Sequence, residues 1–286
     1  MPESLYRTIA ADLRQRIESG ELPAGSQLGN EQELVDRYSA SRNTIRQAIR
    51  WLTNRRLVES RPGQGTFVVK IDPIVTTLSA DWKSDKGLSG GEGKAAFEEA
   101  EARNLEIRAD PLLTVEPRFA EGIVANLLQV QEGTGVILRQ KRRYIKKKPW
   151  SLETSYYPMK YIDQGASLLR SKSDIEQGVV AYLKEQLGVK QIGFRDHIVV
   201  RAPDDDEVRY FQLPDDGTIS VIVIFRTGFA DAPMGPTPFR LTINVYPADT
   251  NQFVINSGEV GEVFANPIAF MASSAESDDS LMKQTA

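Results

Sequence analysis

Residues 30–69, which read NEQELVDRYSASRNTIRQAIRWLTNRRLVESRPGQGTFVV, constrain this chain more than any other segment. The pattern indicates a short helix, a break, a second helix with a cationic face, and an apolar ribbon that turns at glycines. Asn30 and Glu33 have the spacing of a capping box, and Ser41 is a favourable N-cap for the second helix. This order predicts a helix-turn-helix followed by a wing, in which a cationic helix can enter a DNA groove.

The second predicted helix has two chemically distinct faces. Its apolar positions recur at helical spacing and are expected to face a core: Ile45, Ala48, Ile49 and Leu52. The opposite face carries the polar and cationic residues Arg42, Asn43, Arg46, Gln47 and Arg50.

The charge of this region differs from that of the rest of the chain. Residues 41–70 hold seven Lys or Arg residues and one Glu, a formal charge of +6, whereas the whole chain carries −4. A local basic patch on an acidic protein is the electrostatic signature of phosphate binding, and such binding weakens with salt. The alternative is a solvated basic helix face that binds nothing.

Length and composition limit the remaining possibilities. A chain of 286 residues suits about two domains. The absence of cysteine excludes disulfides, thiolate zinc sites and cysteine nucleophiles. Charges interrupt the apolar residues near the N-terminus, so no signal peptide is expected, and no apolar run has the length of a bilayer span. These features predict a cytoplasmic protein that contacts no membrane.

The pattern along the chain predicts two domains and an α+β fold class. Residues 1–70 are expected to form the winged helix-turn-helix, 71–102 a linker rich in glycine, 103–271 a second domain, and 272–286 a disordered polar tail. The second domain is expected to be an antiparallel sheet with inserted helices. Its predicted strands lie near 136–145, 150–157, 194–202, 219–229 and 239–246, and its predicted helices at 117–128 and 174–187.

Residues 4–69 resemble the N-terminal domain of the GntR family of bacterial transcription regulators. The resemblance rests on LYRTIAADLRQRIESGELPAGSQL, NEQELVDRYSASRNTIRQAIRWL and RLVESRPGQGTFV. Residues 126–251 resemble the UTRA effector domain of the HutC subfamily through VILRQKRRYIKKKPWSLETSYYP, HIVVRAP, FQLPDDGTISVIVIFR and RLTINVYPAD. The resemblance implies a fold similar to chorismate lyase in a domain that is not a lyase.

The resemblance also implies a set of DNA contacts. They fall on the recognition helix at Ser41, Arg42, Asn43, Thr44, Arg46, Gln47 and Arg50, and on the wing at Arg61, Gly63 and Gln64. The hydroxyls are expected to reach phosphates, the arginines guanine edges or phosphates, and Gly63 the minor groove. Where the family often has Pro-Ser-Glu-Arg, this chain has Gly29-Asn30-Glu31-Gln32, so a phosphate contact at Gln32 is expected to be weaker.

Effectors of this family are small and often anionic, which implies a pocket in the second domain. Lys141 and Arg143 alternate on one strand face and are expected to bind the anion, with Glu153 accepting hydrogen bonds from ligand hydroxyls. Gly178 occupies a helix N-terminus where the family frequently has serine. Further candidates are Tyr156, Arg226, Arg240 and Tyr246. The alternative for the cations of residues 141–148 is a solvated basic hairpin.

Three functions remain in competition. The first is a ligand-responsive transcription regulator, a repressor that binds a near-palindromic double-stranded operator as a homodimer and is released by its effector. The second is a DNA-binding protein whose C-terminal domain only dimerises. The third is a lyase-like enzyme. The single histidine and the lack of any pairing of a nucleophile with a base argue against it. No metal and no cofactor are expected.

Overall fold

The computed structural model describes residues 4–69, 74–78, 106–111, 113–145, 147–214 and 217–255. It divides into two compact units, one built on Met1–Ile74 and the other on Val75–Gln212 and Ser220–Gly258. Lys146, the glycine-rich part of the predicted linker and the predicted tail at 272–286 lie outside the described residues.

The first unit contains three helices and a β-hairpin. Helices α1 (Leu5–Glu18), α2 (Glu31–Tyr38) and α3 (Arg42–Asn54) precede the antiparallel strands β1 (Val58–Arg61) and β2 (Gly65–Val68). The predicted winged helix-turn-helix is therefore confirmed as a fold. Its core is a single apolar cluster to which all three helices contribute, with Leu13, Leu34, Ile45, Ala48 and Leu52 buried.

Local side-chain chemistry fixes where α2 and α3 begin. The Asn30 side chain accepts a hydrogen bond from the Glu33 amide, and the Glu33 carboxylate accepts one from the Asn30 amide, each at 2.9 Å. Ser39 ends α2 in the left-handed conformation, and the Ser41 hydroxyl accepts from the Thr44 amide to begin α3. The predicted capping box and N-cap are both confirmed.

The second unit is built on a seven-stranded antiparallel sheet with the order β4-β6-β7-β10-β9-β8, in which β5 also pairs with β6. Its strands are β4 (Ile107–Ala109), β5 (Thr114–Phe119), β6 (Gly135–Ile145), β7 (Lys148–Pro158), β8 (Gln191–Arg201), β9 (Val221–Ala230) and β10 (Thr237–Pro247). The predicted α+β class is confirmed.

Helices cover both faces of this sheet. They are α4 (Gly122–Leu128), α5 (Lys160–Asp163), a 3₁₀ turn (Ser167–Arg170), α6 (Val179–Leu187) and α7 (Asp205–Phe211). Leu183 of α6 belongs to an apolar cluster with Tyr157 of β7. Leu128 of α4 belongs to a second cluster with Leu241 of β10. Because side chains alternate along a strand, the same face of β6, β7 and β10 that packs against α6 also carries the side chains that line the cavity described below.

Two predicted helices begin later than the sequence pattern indicated. Residues 114–119 form strand β5, with Pro117 opposite Ile137, and α4 begins only at Gly122. Pro117 is compatible with a strand that pairs on one side, because proline has no amide to donate. Helix α6 begins at Val179 and not at 174, since Gly178 has φ +83° and ψ 152°, a conformation outside the helical region.

Part of the predicted linker is a strand. Residues Ile74–Thr77 form β3, which pairs with β11 (Asn251–Val254) in a separate two-stranded sheet. Val75 and Thr76 are buried. The Arg226 guanidinium donates to the Leu78 carbonyl at 3.5 Å, so this stretch is attached to the second unit.

Candidate nucleic-acid interface and effector pocket

The outward face of α3 presents the predicted reading residues to solvent. Arg42, Asn43, Arg46, Gln47 and Arg50 are all exposed, whereas the residues between them are buried or half-buried against the core. At the start of the helix the Ser41 and Thr44 hydroxyls lie 2.8 Å apart. The unpaired amides of a helix N-terminus and two hydroxyls make a favourable position for a phosphate.

Two arginines of α3 are held by the first turn of α2. The Arg46 Nε lies 2.8 Å from the Glu31 Oε1, and its Nη2 donates to Glu31 Oε2 at 3.2 Å. The Arg42 Nη2 donates to the Gln32 Oε1 at 2.8 Å. Both guanidinium groups are thus oriented on the protein surface by contacts within the protein itself.

The wing ends in a tight turn whose tip is Gly63. Gly63 has φ +71°, and a Cβ placed there would meet open space. The Gln64 amide donates to the Arg61 carbonyl at 3.0 Å and closes the turn. Arg61 lies back along the hairpin, with its guanidinium 4.4 Å from the Phe67 ring centroid and 2.7 Å from Glu59 Oε1.

The second unit contains a cavity of about 320 Å³, at the lower end of the usual range for small-molecule sites. Strands β6, β7 and β10 supply one wall, and the segment that leads into α6 supplies the other. Its lining residues are Leu113, Arg139, Lys141, Glu153, Ser155, Tyr157, Asp174, Ile175, Glu176, Gln177, Gly178, Val179, Val180 and Arg240.

Ion pairs fix the charged side chains of this cavity. The Lys141 Nζ lies 2.5 Å from the Asp174 Oδ2, with the Lys141 side chain only 11% exposed and that of Asp174 60% exposed. The Glu153 carboxylate pairs with the Arg143 Nη2 at 2.7 Å. Lys141 is therefore more accessible than Arg143, because the partner of Lys141 is a carboxylate at the rim of the cavity.

Arg240 reaches the cavity because Gly228 has no side chain. A Cβ at Gly228 would lie 2.8 Å from the Arg240 Nε, a distance that forbids any larger residue there without rearrangement. The Arg240 Nε donates to the Gln191 Oε1 at 3.2 Å, and both side chains are buried.

The N-terminus of α6 also faces the cavity. Gly178, Val179 and Val180 line it, and no side chain caps the helix. The first amides of this nine-residue helix have no partner within the helix, so they can donate to an anion. Gly178 adopts φ +83° with ψ 152°, a region essentially restricted to glycine. A serine at this position would require a different backbone.

Four predicted effector residues do not line the cavity. Arg143 lies beside it but is 2% exposed and paired with Glu153. Tyr156 contacts the apolar cluster on the opposite face of the sheet, because it alternates with Glu153 and Ser155 along β7. Lys141, Glu153, Gly178 and Arg240, by contrast, are brought together.

Arg226 and Tyr246 have other contacts. The Arg226 guanidinium donates to both carboxylate oxygens of Asp196 and lies 4.0 Å from the Phe194 ring centroid. Tyr246 packs edge-on against Trp150 and Phe253. Burial raises the pKa of the Tyr246 hydroxyl to about 12.

The cavity is also lined by residues that the sequence did not predict, among them Arg139, Ser155, Tyr157 and Asp174. The first three could have been found, since Arg139 continues the alternation of Lys141 and Arg143, and Ser155 and Tyr157 continue that of Glu153. Asp174 lies in an irregular segment with no periodicity to identify it.

Within the described residues, no group of three or more His, Asp or Glu side chains could hold a metal ion. Among the described helices, none combines the length and apolar character needed to cross a membrane.

Comparison with known proteins matches two parts of the chain to families. Residues 5–68 match the bacterial regulatory proteins of the gntR family, and residues 98–251, more than half of the chain, match the UTRA domain.

Proteins named as repressors are similar to the chain in sequence. The mannosyl-D-glycerate transport/metabolism system repressor MngR of Escherichia coli K12 is 31% identical over 54% of this chain and 59% of its own length. The histidine utilization repressor of Klebsiella aerogenes is 30% identical over 53% of this chain and 57% of its own length. The matches thus span less than two thirds of these relatives.

Solved structures share the fold. A crystal structure of a GntR-family transcriptional regulator aligns with a TM-score of 0.57 at 22% identity, over 90% of this chain and 99% of its own. PhnF from Mycobacterium smegmatis aligns with a TM-score of 0.50 at 20% identity, over 88% of this chain and all of its own.

Proposed function

Because this chain belongs to the GntR family of bacterial regulatory proteins, in the HutC subfamily with a UTRA domain, we propose that it is a ligand-responsive transcription repressor. It binds a double-stranded DNA operator in the cytoplasm through α3 and the wing. A small anionic effector binds the cavity of the second unit and releases the operator. The relatives named as repressors support this proposal.

The observation that carries the DNA-binding part is the arrangement of cations on α3. Arg42 and Arg46 project from the exposed face and are already oriented by α2, so little conformational entropy remains to be lost on binding. An arginine that reaches the major groove can donate two hydrogen bonds to guanine, which is the commonest specific contact. Ser41 and Thr44 sit where a phosphate would meet the helix N-terminus.

The effector part is supported by the cavity chemistry. Lys141, Arg240 and the first amides of α6 offer positive charge and donors, while Glu153 offers an acceptor. A ligand with an anionic group and neighbouring hydroxyls would accept from these donors and donate to Glu153. For release, the effector must bind the operator-competent and operator-incompetent states unequally. Residues 71–95 are the proposed coupling segment, and their described strand β3 pairs with β11.

The second unit is also the proposed dimerisation module. Among the described strands β8 pairs only with β9, and it exposes the apolar residues Ile198, Val199 and Val200 at 43%, 45% and 63%. The other backbone edge of an apolar strand of this length is a template for pairing with another strand. A second copy meets it in antiparallel register about a two-fold axis, the symmetry that a near-palindromic operator requires.

Selection of duplexes from a random library, with and without fractionated metabolites, tests the regulatory function. We expect enrichment of a near-palindrome, and we expect this enrichment to be lost when an active fraction is added. In the variant Lys141→Ala the enrichment persists but the fraction no longer abolishes it, whereas Lys184→Ala, an exposed lysine on α6, behaves as the wild type. Enrichment of no sequence would refute DNA regulation, and an equal response in both variants would refute the pocket.

Sedimentation velocity tests the dimer. The change Val200→Glu places a charge on the exposed edge of β8 and is expected to shift the protein toward monomer at micromolar concentration. Ile123→Glu, at a similarly exposed apolar position on α4, is the matched control and should remain dimeric. A monomeric wild type, or a dimer unaffected by Val200→Glu, would contradict the assignment.

A further inference from the structure

Gln32 links two charged residues on the outward side of the helix-turn-helix. Its side-chain Nε2 donates to the Asp36 Oδ1 at 2.9 Å along α2. Its Oε1 accepts from the Arg42 Nη2 at 2.8 Å across to α3. The three side chains thus form a relay, Arg42 to Gln32 to Asp36, at the end of α3 that is expected to enter the groove.

The chemistry of the two partners fixes the orientation of the Gln32 amide. An ionised Asp36 can only accept a hydrogen bond, and a guanidinium can only donate one. The NH₂ group of Gln32 must therefore face Asp36, and its carbonyl oxygen must face Arg42. A rotated amide would place a donor against a donor and an acceptor against an acceptor.

The relay differs from the neighbouring pair of Arg46 with Glu31. Glu31 neutralises the charge of Arg46, which lies 2.8 Å from its carboxylate. Gln32 is neutral, so it positions Arg42 without cancelling the charge. One N–H of Arg42 points at Gln32, which leaves the rest of the planar fork for a base edge.

We propose that Gln32 is a specificity-determining positioning residue, which sets the base preference at the operator position read by Arg42. The inference rests on the proposed DNA-binding function. It assigns to Gln32 a role directed at a protein side chain and not at a phosphate, the contact expected from the sequence. The carboxylate of Asp36 acts through Gln32 by holding the amide in place.

Base preference at each operator position, measured with a library of single-substitution duplexes, tests this role. Gln32→Ala is expected to lower the discrimination between bases at one position of each half-site by roughly 3- to 10-fold. Most of this discrimination comes from a bidentate contact of Arg42 that Gln32 holds in place. The slope of log affinity against log salt should stay unchanged, because no phosphate contact is lost. Gln15→Ala, an exposed glutamine on α1, is the control.

Arg42→Ala separates the inference from the proposed function. If Arg42→Ala leaves both affinity and preference unchanged, the DNA-binding assignment of Arg42 fails. If Arg42→Ala removes the preference at one position while Gln32→Ala leaves it intact, or alters a different position, only the role of Gln32 is refuted.

A double exchange provides the rescue. In Gln32→Glu combined with Asp36→Asn, the amide introduced on the second residue can donate to the carboxylate introduced on the first, which still accepts from Arg42. The net charge is unchanged. The preference at the Arg42 position should return toward that of the wild type, while overall affinity falls because a carboxylate now competes for the guanidinium. A preference as low as in Gln32→Ala would overturn the relay.

Discussion

Gly63 occupies the tip of the wing with φ +71°, and a Cβ added there would meet open space. Gly63→Val should lower the free energy of unfolding by roughly 1–2 kcal/mol because a β-branched residue is strained in this conformation. It should also weaken DNA binding, since the tip is expected to enter the minor groove.

Gly20, with φ +81° and equally open surroundings, offers the matched control. Gly20→Val should lose similar stability in a thermal melt but retain wild-type affinity in a DNA titration. Equal affinities for the two variants would remove the wing tip from the interface.

The sequence predicts the same role for Arg143 and Lys141, yet their surroundings predict losses of stability of different size on truncation. Arg143→Ala removes the cation that pairs with the buried Glu153 carboxylate. We therefore expect the free energy of unfolding, measured by chemical denaturation, to fall by about 3–5 kcal/mol. Lys141→Ala removes the partner of Asp174, whose side chain is already 60% exposed, and should lower the free energy of unfolding by less than about 1 kcal/mol. Equal losses would contradict this difference, which makes Lys141 the sounder position for ligand-binding tests.

Burial of the Tyr246 hydroxyl should make the stability of the fold depend on pH in the alkaline range. Its folded pKa of about 12 exceeds the value near 10 of an unfolded tyrosine, so the neutral form stabilises the fold. That contribution is fully present below pH 10 and is lost as pH rises from 10 to 12. Between pH 10 and pH 12 the free energy of unfolding should fall in both proteins, and it should fall by roughly 2–3 kcal/mol less in Tyr246→Phe than in the wild type. Chemical unfolding at each pH measures this difference. Parallel curves would refute the burial of this hydroxyl.

The residue-level predictions succeeded where a rule couples spacing to geometry. The capping box of Asn30 and Glu33 and the cap at Ser41 follow from local hydrogen bonding alone. Alternation placed Lys141 and Arg143 on one strand face, but it could not show that Arg143 pairs diagonally with Glu153. That pairing depends on tertiary packing, which a spacing pattern does not contain.

At the scale of elements, Arg139 ties strand β6 to the segment that forms the rim of the cavity. Its guanidinium donates to the carbonyls of Leu168, Leu169, Ser171 and Ser173, at 2.7 to 3.4 Å. Arg139→Ala should therefore increase hydrogen exchange across residues 167–178 and lower the free energy of unfolding by roughly 3 kcal/mol, because one buried and three partly buried carbonyls lose this donor.

Arg118→Ala, at an exposed arginine on β5, is the control and should leave exchange in that segment unchanged. If Arg139→Ala also left it unchanged, the rim would have to be ordered by other contacts.

Element boundaries were less predictable than element types. The long alternating strands of the sheet were predicted nearly to their ends, since burial on one face imposes a period of two. Helix α7 was not predicted, although Asp204 and Glu207 form a capping box, because only seven residues follow its cap. The late start of α6 depends on the backbone conformation of Gly178, which composition does not reveal.

At the scale of the whole molecule, the basic region of residues 41–70 and the charged cavity belong to an acidic chain. The net charge of −4 opposes general attraction to nucleic acid, so affinity must come from the localised face of α3. Binding should accordingly fall steeply with salt and depend on a few arginines.

Fluorescence anisotropy of a selected operator duplex tests this claim most directly. Arg42→Ala and Arg46→Ala should each weaken binding by roughly 10-fold or more. Arg14→Ala, an exposed arginine on α1 paired with Glu18, should bind within about twofold of the wild type, as expected for a surface ion pair outside the interface. Wild-type affinity in both α3 variants would contradict the assignment of α3 as the recognition helix.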